Sequence, residues 1–169
     1  MNMKKSDELK KIKEKLENHE KRIQILENMI PSLRSEEVKP TEVKKNIERL
    51  AKKIGVDREK IEQLFDISSN SLTLLKVIGD NDRERTKMIS LVVLLGYKYF
   101  FGNEQILSTE LRRNVAENRV SVNNFAAYIN ELIPSLIRRI GKPRSPKTAY
   151  KLTTLGEAET KEIIKRLCK

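Results

Sequence analysis

Apolar residues recur at alternating spacings of three and four positions through the first 30 residues. This alternation is typical of the a and d positions of a coiled coil, and Pro31 should end the helix. Ser6, followed by two acidic residues, is a plausible helix N-cap. The pattern predicts a coiled-coil helix over residues 5–30, with an apolar stripe formed by Leu9, Ile12, Leu16, His19, Ile23, Leu26 and Ile30.

The charges that flank this stripe predict how the helix associates. With Leu9 at position a, each g residue faces the opposite charge on the next e position of a parallel partner. The pattern favours a parallel homo-oligomer, with a dimer as the default and a trimer still open. One amphipathic helix packed on its own domain is the alternative. The matched pairs are Glu8 with Lys13, Lys15 with Glu20, and Arg22 with Glu27.

A charged linker over residues 31–40 leads into a small unit predicted over residues 41–82. Thr41 is a candidate cap for a helix with one apolar face, and Gly55 should end it. Asp57 then becomes a candidate cap for a second helix. The unit is therefore predicted to contain two short helices joined by a glycine turn.

Residues 47–66, here called the helical turn segment, have the spacing of a helix-turn-helix. The face that would read DNA carries Glu59 and Glu62, which would repel phosphate, so a packing or protein-contact role is favoured over DNA contact. Residues 67–79 contain a polar cluster followed by apolar residues and predict a strand or small hairpin. A polar break at residues 79–82 predicts a domain boundary.

Three helices are predicted in the domain assigned to residues 83–169. The first, over residues 85–101, is apolar around most of its circumference and should be buried on two sides. Ser108 is expected to cap the second helix, and Ser121 the third, over residues 122–132. Asparagines in the first turn of the third helix are suited to pairing with adenine edges, although asparagine is also ordinary at helix starts.

Two short strands, over residues 136–140 and 149–152, predict a hairpin after the third helix. Gly141, Pro143 and Pro146 punctuate the loop between the strands and should stiffen it. We call residues 138–151 the basic hairpin, because they contain six basic residues and no acid. Such a hairpin can contact phosphates, whereas the alternative is an ordinary solvated loop. The six are Arg138, Arg139, Lys142, Arg144, Lys147 and Lys151.

The net charge of +11 is concentrated in the second half of the chain. Residues 83–169 hold 17 basic and 8 acidic side chains, a net of +9, whereas residues 40–82 are neutral. Because charge spread only for solubility would not localise in this way, an anionic partner is predicted for residues 83–169.

A Tyr-x-Leu-Thr-x-x-Gly sequence at residues 150–156 opens the last predicted helix, over residues 157–167. Together with the preceding helices and hairpin, residues 85–169 resemble the winged helix-turn-helix superfamily of prokaryotic and archaeal DNA-binding regulators. The resemblance implies a DNA-binding domain, usually dimeric, with its third helix in the major groove and its wing beside it. It implies base contacts by Ser121, Asn123, Asn124 and Tyr128, and backbone contacts by Arg138, Arg139, Lys142, Arg144 and Lys147. Winged helices also serve as protein-contact modules.

The sequence offers little for catalysis or for a membrane. One histidine and one cysteine are too few for a His/Cys zinc site within one chain, and no Gly-rich phosphate loop appears. Residues 89–95 are too short an apolar run to span a bilayer, and the charged N-terminus lacks the core of a signal peptide. We therefore expect a cytoplasmic protein that is not an enzyme and has no cofactor, metal or membrane partner.

Taken together, the patterns predict a mainly α fold. It comprises an N-terminal coiled-coil helix, a small helical unit with a strand or hairpin, and a C-terminal winged helix-turn-helix. The predicted function is that of a dimeric transcriptional regulator that binds double-stranded DNA, with a possible protein partner for residues 41–82. The alternative is a non-enzymatic, oligomeric protein-interaction scaffold, and RNA binding is a third possibility, for which interleaved surface aromatics are lacking.

Overall fold

The computed structural model describes residues 40–68 and 71–169, together with Lys15, His19 and Glu20. These three N-terminal residues are helical and exposed. The other stripe residues of the predicted coiled coil, and residues 31–39 of the predicted linker, lie outside the described residues. Residues 38–169 form one compact unit, and residues 1–37 form the other.

The first part of the larger unit contains two helices, α1 (Pro40–Ile54) and α2 (Arg58–Glu62). Helix α1 begins at Pro40, so Thr41 lies inside its first turn and does not occupy the predicted cap position. Gly55 ends α1 with a φ of +78°, a conformation that glycine adopts without the steric cost of a Cβ atom. Asp57 occupies the N-cap position of α2, but its side chain makes no capping hydrogen bond.

An antiparallel hairpin follows, formed by β1 (Phe65–Ser68) and β2 (Ser71–Leu74). The predicted hairpin is therefore present, although its first strand begins before the polar cluster that the sequence placed ahead of it. Helix α2 has only five residues, and the chain enters β1 three residues later. The helical turn segment thus ends in a strand rather than in a long second helix.

Helix α3 (Asp82–Phe100) lies at the centre of the larger unit. The Asn81 side chain caps α3 by accepting a hydrogen bond from the Glu84 backbone N–H at 3.0 Å. Its apolar side chains are buried over the whole stretch from Ile89 to Leu95, as the sequence predicted. The covering elements belong to the same chain, since α3 contacts α1, β2 and the three helices that follow it.

Residues 40–82 share a core with the C-terminal elements, so the structure differs from the boundary predicted at residues 79–82. Phe65 packs its ring edge-on against Phe100, with 5.2 Å between centroids. A Cβ atom on Gly96 would lie only 2.3 Å from the Leu72 side chain, so β2 sits directly on α3. The polar break at residues 79–82 indicated a boundary, whereas the buried apolar residues on both sides of it belong to one core.

The C-terminal elements are β3 (Ile106–Leu107), α4 (Ser108–Glu117), α5 (Phe125–Asn130), β4 (Ile137–Ile140), β5 (Ala149–Leu152) and α6 (Thr154–Leu167). The three strands form an antiparallel sheet in the order β3-β5-β4. The predicted hairpin of β4 and β5 is present. Strand β3 was not predicted, because two residues are too few to establish a periodicity.

Three predicted helix starts among these C-terminal elements also differ from the structure. Ser108 is the first residue of α4 rather than its cap, and its backbone N–H donates to the Thr148 carbonyl at 2.8 Å. Helix α5 begins at Phe125, so Ser121 does not cap it and residues 121–124 form a loop and turn. Helix α6 begins at Thr154, three residues earlier than predicted.

The described part of the chain is a helix-rich mixed α/β fold with two small antiparallel sheets. The sequence predicted a mainly α fold with a strand or small hairpin and the basic hairpin, and β3 is the strand of the second sheet that it did not predict. Strand β5 of this sheet pairs on both sides, with β3 and with β4, and Ala149 and Tyr150 are buried in it.

Candidate nucleic-acid interface

The strands of the basic hairpin place two of its cations directly opposite each other. Arg138 on β4 pairs in register with Lys151 on β5, and Arg139 pairs with the buried Tyr150. Because opposite residues of an antiparallel pair share one face, Arg138 and Lys151 lie side by side. Like charges in this position destabilise a sheet, so an anion on this face would relieve a repulsion that the folded protein contains.

The loop between the strands is held by hydrogen bonds rather than by apolar packing. The buried Thr148 donates its hydroxyl to the Lys142 carbonyl at 2.6 Å, and its backbone N–H donates to the Ser145 carbonyl at 3.0 Å. Gly141 and Arg144 both adopt positive φ, at +86° and +63°. Lys142, Arg144 and Lys147 are exposed on this fixed loop. Their backbone positions are therefore defined while their side chains are free to reach a ligand.

None of the six cations of the basic hairpin forms an ion pair with a carboxylate of the described residues. Several basic side chains elsewhere in the larger unit, in contrast, are paired with a carboxylate. Arg58, Arg83 and Lys98 lie 2.7–2.8 Å from a carboxylate oxygen, and Lys161 and Lys165 are bonded similarly. The hairpin therefore presents positive charge that the described part of the protein does not neutralise.

The residues predicted to contact bases lie in and before helix α5. Ser121, Asn123 and Asn124 are exposed in the loop and turn that precede α5, and Tyr128 is half-buried within it. The Asn124 amide donates to the Tyr128 hydroxyl at 3.4 Å. Only Tyr128 of these four is helical, so a base-reading surface here would consist mainly of a turn and the first part of a short helix.

One contact joins the basic hairpin to α5. The Arg139 guanidinium donates a hydrogen bond to the Asn130 side-chain oxygen, at the last residue of the helix. The structure therefore links the basic hairpin to the end of the helix that carries Tyr128, one of the residues predicted to contact bases. Because Arg139 already has this partner, the other five cations of the basic hairpin are more available to a ligand.

A second link holds the end of α5 against α3, and the sequence analysis did not find it. Glu131 accepts hydrogen bonds from Arg83 at 2.9 Å and from Lys87 at 3.1 Å. The hydrogen bond from Arg83, followed by that from Lys87, lowers the pKa of the Glu131 carboxyl. These residues are more than 40 positions apart in the chain, so no local spacing signals the contact.

The Tyr-x-Leu-Thr-x-x-Gly sequence has a structural role beneath the basic hairpin. Thr153 caps α6 by accepting from the Gly156 backbone N–H at 2.9 Å, and it donates to the Ser135 carbonyl at 2.6 Å. A Cβ atom on Gly156 would lie 1.9 Å from the Leu136 carbonyl oxygen. Threonine and glycine at these positions therefore seat α6 against the segment that leads into β4.

Helix α6 carries a partly buried ionic cluster on its first turn. Glu157 lies 2.7 Å from Lys98 and 2.8 Å from Lys161, and it accepts from the Tyr99 hydroxyl at 3.0 Å. Burial acts to raise the pKa of Glu157, but the hydrogen bonds from Lys161, Lys98 and Tyr99 outweigh it and lower the pKa to about 2. The cluster ties α6 to α3 and contains no free cation.

The described residues provide no further chemistry of the kinds considered from sequence. No group of three or more His, Cys, Asp or Glu side chains within them is placed to hold a metal ion. Within the same residues, no helix combines the length and apolarity needed to cross a membrane. Cys168 is buried, and burial raises the pKa of its thiol.

The candidate interface therefore rests on geometry and charge alone: an exposed turn and helix joined to a hairpin whose cations lack carboxylate partners. Comparison of the chain with protein-family models, with curated proteins and with solved structures finds no match in any of the three.

Proposed function

We propose that this protein binds double-stranded DNA as a homodimeric transcriptional regulator, and that residues 83–169 act as a winged helix-turn-helix. The observation that carries the proposal is the concentration of six cations, none paired with a described carboxylate, on the basic hairpin. Phosphate binding displaces condensed counterions from DNA and supplies most of the affinity of such surfaces.

The order of elements supports this interpretation. Helices α3, α4 and α5 are followed by the β4–β5 hairpin, and β3 completes a three-stranded sheet. In this proposal α5 and the turn before it face the major groove, and the basic hairpin lies along the adjacent backbone. Asn123 and Asn124 are exposed there and have the side-chain chemistry that recognises an adenine edge.

A salt titration with a matched variant tests DNA binding. Duplex DNA is titrated with the full chain at several salt concentrations, using fluorescence anisotropy. We expect an affinity that falls steeply with salt and that drops when Lys142, Arg144 and Lys147 are all replaced by Ala. Because these side chains are exposed, folding should be unchanged.

The control variant replaces Arg58, Arg113 and Lys165 with Ala, which removes the same three charges from cations that are already paired. It should keep the affinity and the salt dependence of the original protein. Equal losses of affinity in both variants would show that net charge alone sets the affinity, and would contradict the role of the basic hairpin. Binding that is absent or insensitive to salt would also contradict the proposal. Absent binding would leave the interaction scaffold as the better interpretation, and preference for single-stranded RNA would indicate the third possibility.

A further inference from the structure

An apolar groove of about 460 Å³ lies between α3 and α6, on surfaces that the proposed DNA contact does not use. We call it the α3–α6 groove. Its lining includes the half-buried Met88 on α3, Leu136 before β4 and Ile163 on α6. At its margin Ile78 is 52% exposed. Apolar surface of this kind, rimmed by charged residues, is typical of an interaction site.

The outer face of α6 carries a charge pattern along this groove. Glu159, Ile163 and Arg166 are separated by four and three residues, so they lie on one face of the helix. Glu159 and Arg166 are exposed, and neither forms an ion pair with the described residues. At 1.5 Å per residue they are about 10 Å apart along the helix axis, with Ile163 between them.

We propose that this face binds a second copy of the chain, with the two α6 helices antiparallel across a two-fold axis near Ile163. In that arrangement Glu159 faces Arg166 of the partner subunit, and Arg166 faces Glu159 of the partner subunit. A two-fold interface joins one patch to itself, so the patch has to be self-complementary. An acid and a base placed symmetrically about an apolar residue satisfy this requirement.

Charge also favours this position over the rest of the surface as the place where a second copy binds. Residues 83–169 carry a net charge of +9 and would repel another copy over most of their surface. The groove is lined by two acids and two bases, Glu84, Lys87, Glu159 and Arg166, and is therefore electrically balanced. If residues 5–30 associate as the sequence predicts, they would also raise the effective concentration of the second copy.

Site-specific crosslinking tests the position of the axis. The Cys168→Ser variant has no cysteine, because Cys168 is the only one in the chain. In this background the full chain is prepared with Ile163→Cys and treated with a short bismaleimide crosslinker. We expect a covalent dimer, because the two introduced thiols would lie next to each other at the axis.

The control for this experiment is Ala158→Cys in the same background. Ala158 is exposed on α6 but points away from the Ile163 face, since five residues correspond to about 500° of helix rotation. It should give little covalent dimer. Equal crosslinking from both positions would show that the chains meet without this interface and would overturn the proposal. A folded Ile163→Cys variant that does not crosslink would overturn it as well.

A charge exchange tests the pairing itself. Adding Glu159→Arg to the Ile163→Cys variant should slow crosslinking by about tenfold, because it places two positive charges opposite each other. Adding Arg166→Glu to the same chain should restore the rate, since each arginine then faces a glutamate of the other subunit. A rate that is unaffected by the first change, or not restored by the second, would contradict the antiparallel pairing. None of these changes touches the basic hairpin, so the outcome is independent of DNA binding.

Discussion

The helical turn segment and the basic hairpin both present basic side chains around a glycine-containing turn, but only the helical turn segment also contains acidic residues. Residues 47–66 contain five basic and five acidic residues, whereas residues 138–151 contain six basic residues and no acid. In the helical turn segment, Arg58 bonds both Glu48 and Glu62 at 2.8 Å. In the basic hairpin, Arg138 faces Lys151 across the strands.

This difference separates cations that stabilise a fold from cations that are available to a ligand. The hydrogen bond that Arg58 donates to Glu62 is the largest of the interactions that raise the pKa of Arg58, so this guanidinium already has a partner within the protein. Exposed ion pairs contribute little to stability, yet they cancel the field that would attract a phosphate. A count of basic residues therefore predicts binding poorly, and a count of basic residues without acidic partners is the more useful measure.

Gly55 in the helical turn segment and Gly156 on α6, which packs against the segment leading into the basic hairpin, provide the largest expected contrast. Gly156→Ala should destabilise the protein by about 3 kcal/mol or more, because the new Cβ atom would meet the Leu136 backbone carbonyl, which cannot move as a flexible side chain does. Gly55→Ala should cost only about 1–2 kcal/mol, since nothing lies near its Cβ position and only its positive φ is strained. Urea unfolding followed by circular dichroism measures both.

If Gly156→Ala proved as mild as Gly55→Ala, α6 would not be seated against the entry to β4 as closely as described. The basic hairpin would then lack the support that distinguishes it from an ordinary surface loop. The DNA affinity of a folded Gly156→Ala protein should also fall, because Leu136 leads directly into β4.

Single arginine replacements sharpen the comparison of charges. Arg144→Ala should weaken binding to duplex DNA by about fivefold at 0.15 M salt and lower the slope of log K against log salt by about 0.9, the value for one phosphate contact. Arg58→Ala removes the same charge and should change neither quantity. Anisotropy titrations at four salt concentrations distinguish the two, and a matching loss in Arg58→Ala would mean that the helical turn segment also contacts DNA.

Removing the N-cap of α6 should have a smaller effect on stability. Thr153→Ala should lower the free energy of unfolding by about 1 kcal/mol, because it removes the acceptor for the Gly156 N–H and the bond to the Ser135 carbonyl. Thr154→Ala, at the exposed next residue, should stay within about 0.5 kcal/mol of the original protein. Thermal unfolding compares them, and equal effects would remove the capping role from Thr153.

The sequence predicted those parts of the structure that depend on local patterns. The apolar run of α3, the glycine that ends α1 and the two strands of the basic hairpin each carry their own periodicity or turn signal, and all are present. Helix starts were less certain: Ser121 has the right chemistry for a cap, but the chain forms a turn at residues 123–124 and α5 begins only at Phe125.

Sequence patterns could not predict contacts between residues that are far apart in the chain. Leu72 packs on Gly96, and Glu131 bonds Arg83, yet neither pair has a spacing that distinguishes it from many others. The domain boundary predicted at residues 79–82 relied on a polar break, and a polar break is equally compatible with a surface turn within one core. For the candidate site, the exposed cations followed from composition, whereas the contact between Arg139 and Asn130 required the fold.

The ionic cluster around Glu157 contains cations that are paired within the fold, in contrast to those of the basic hairpin. The pKa of Glu157 is about 2 in the folded protein, below its ordinary value of 4.5, so its ionised form stabilises the folded state. That stabilisation is complete above about pH 5 and is lost as the pH falls toward 2. Glu157→Gln should therefore lower Tm at pH 7, and the difference in Tm from the original protein should shrink as the pH is reduced through this range.

Glu162→Gln is the matched control, because Glu162 bonds only the exposed Lys165 on the same helix, and it should change Tm little at either pH. A Glu157→Gln difference that stayed constant with pH would show that the loss comes from packing, and the cluster of Lys98, Lys161 and Tyr99 would then not hold Glu157 as an ion.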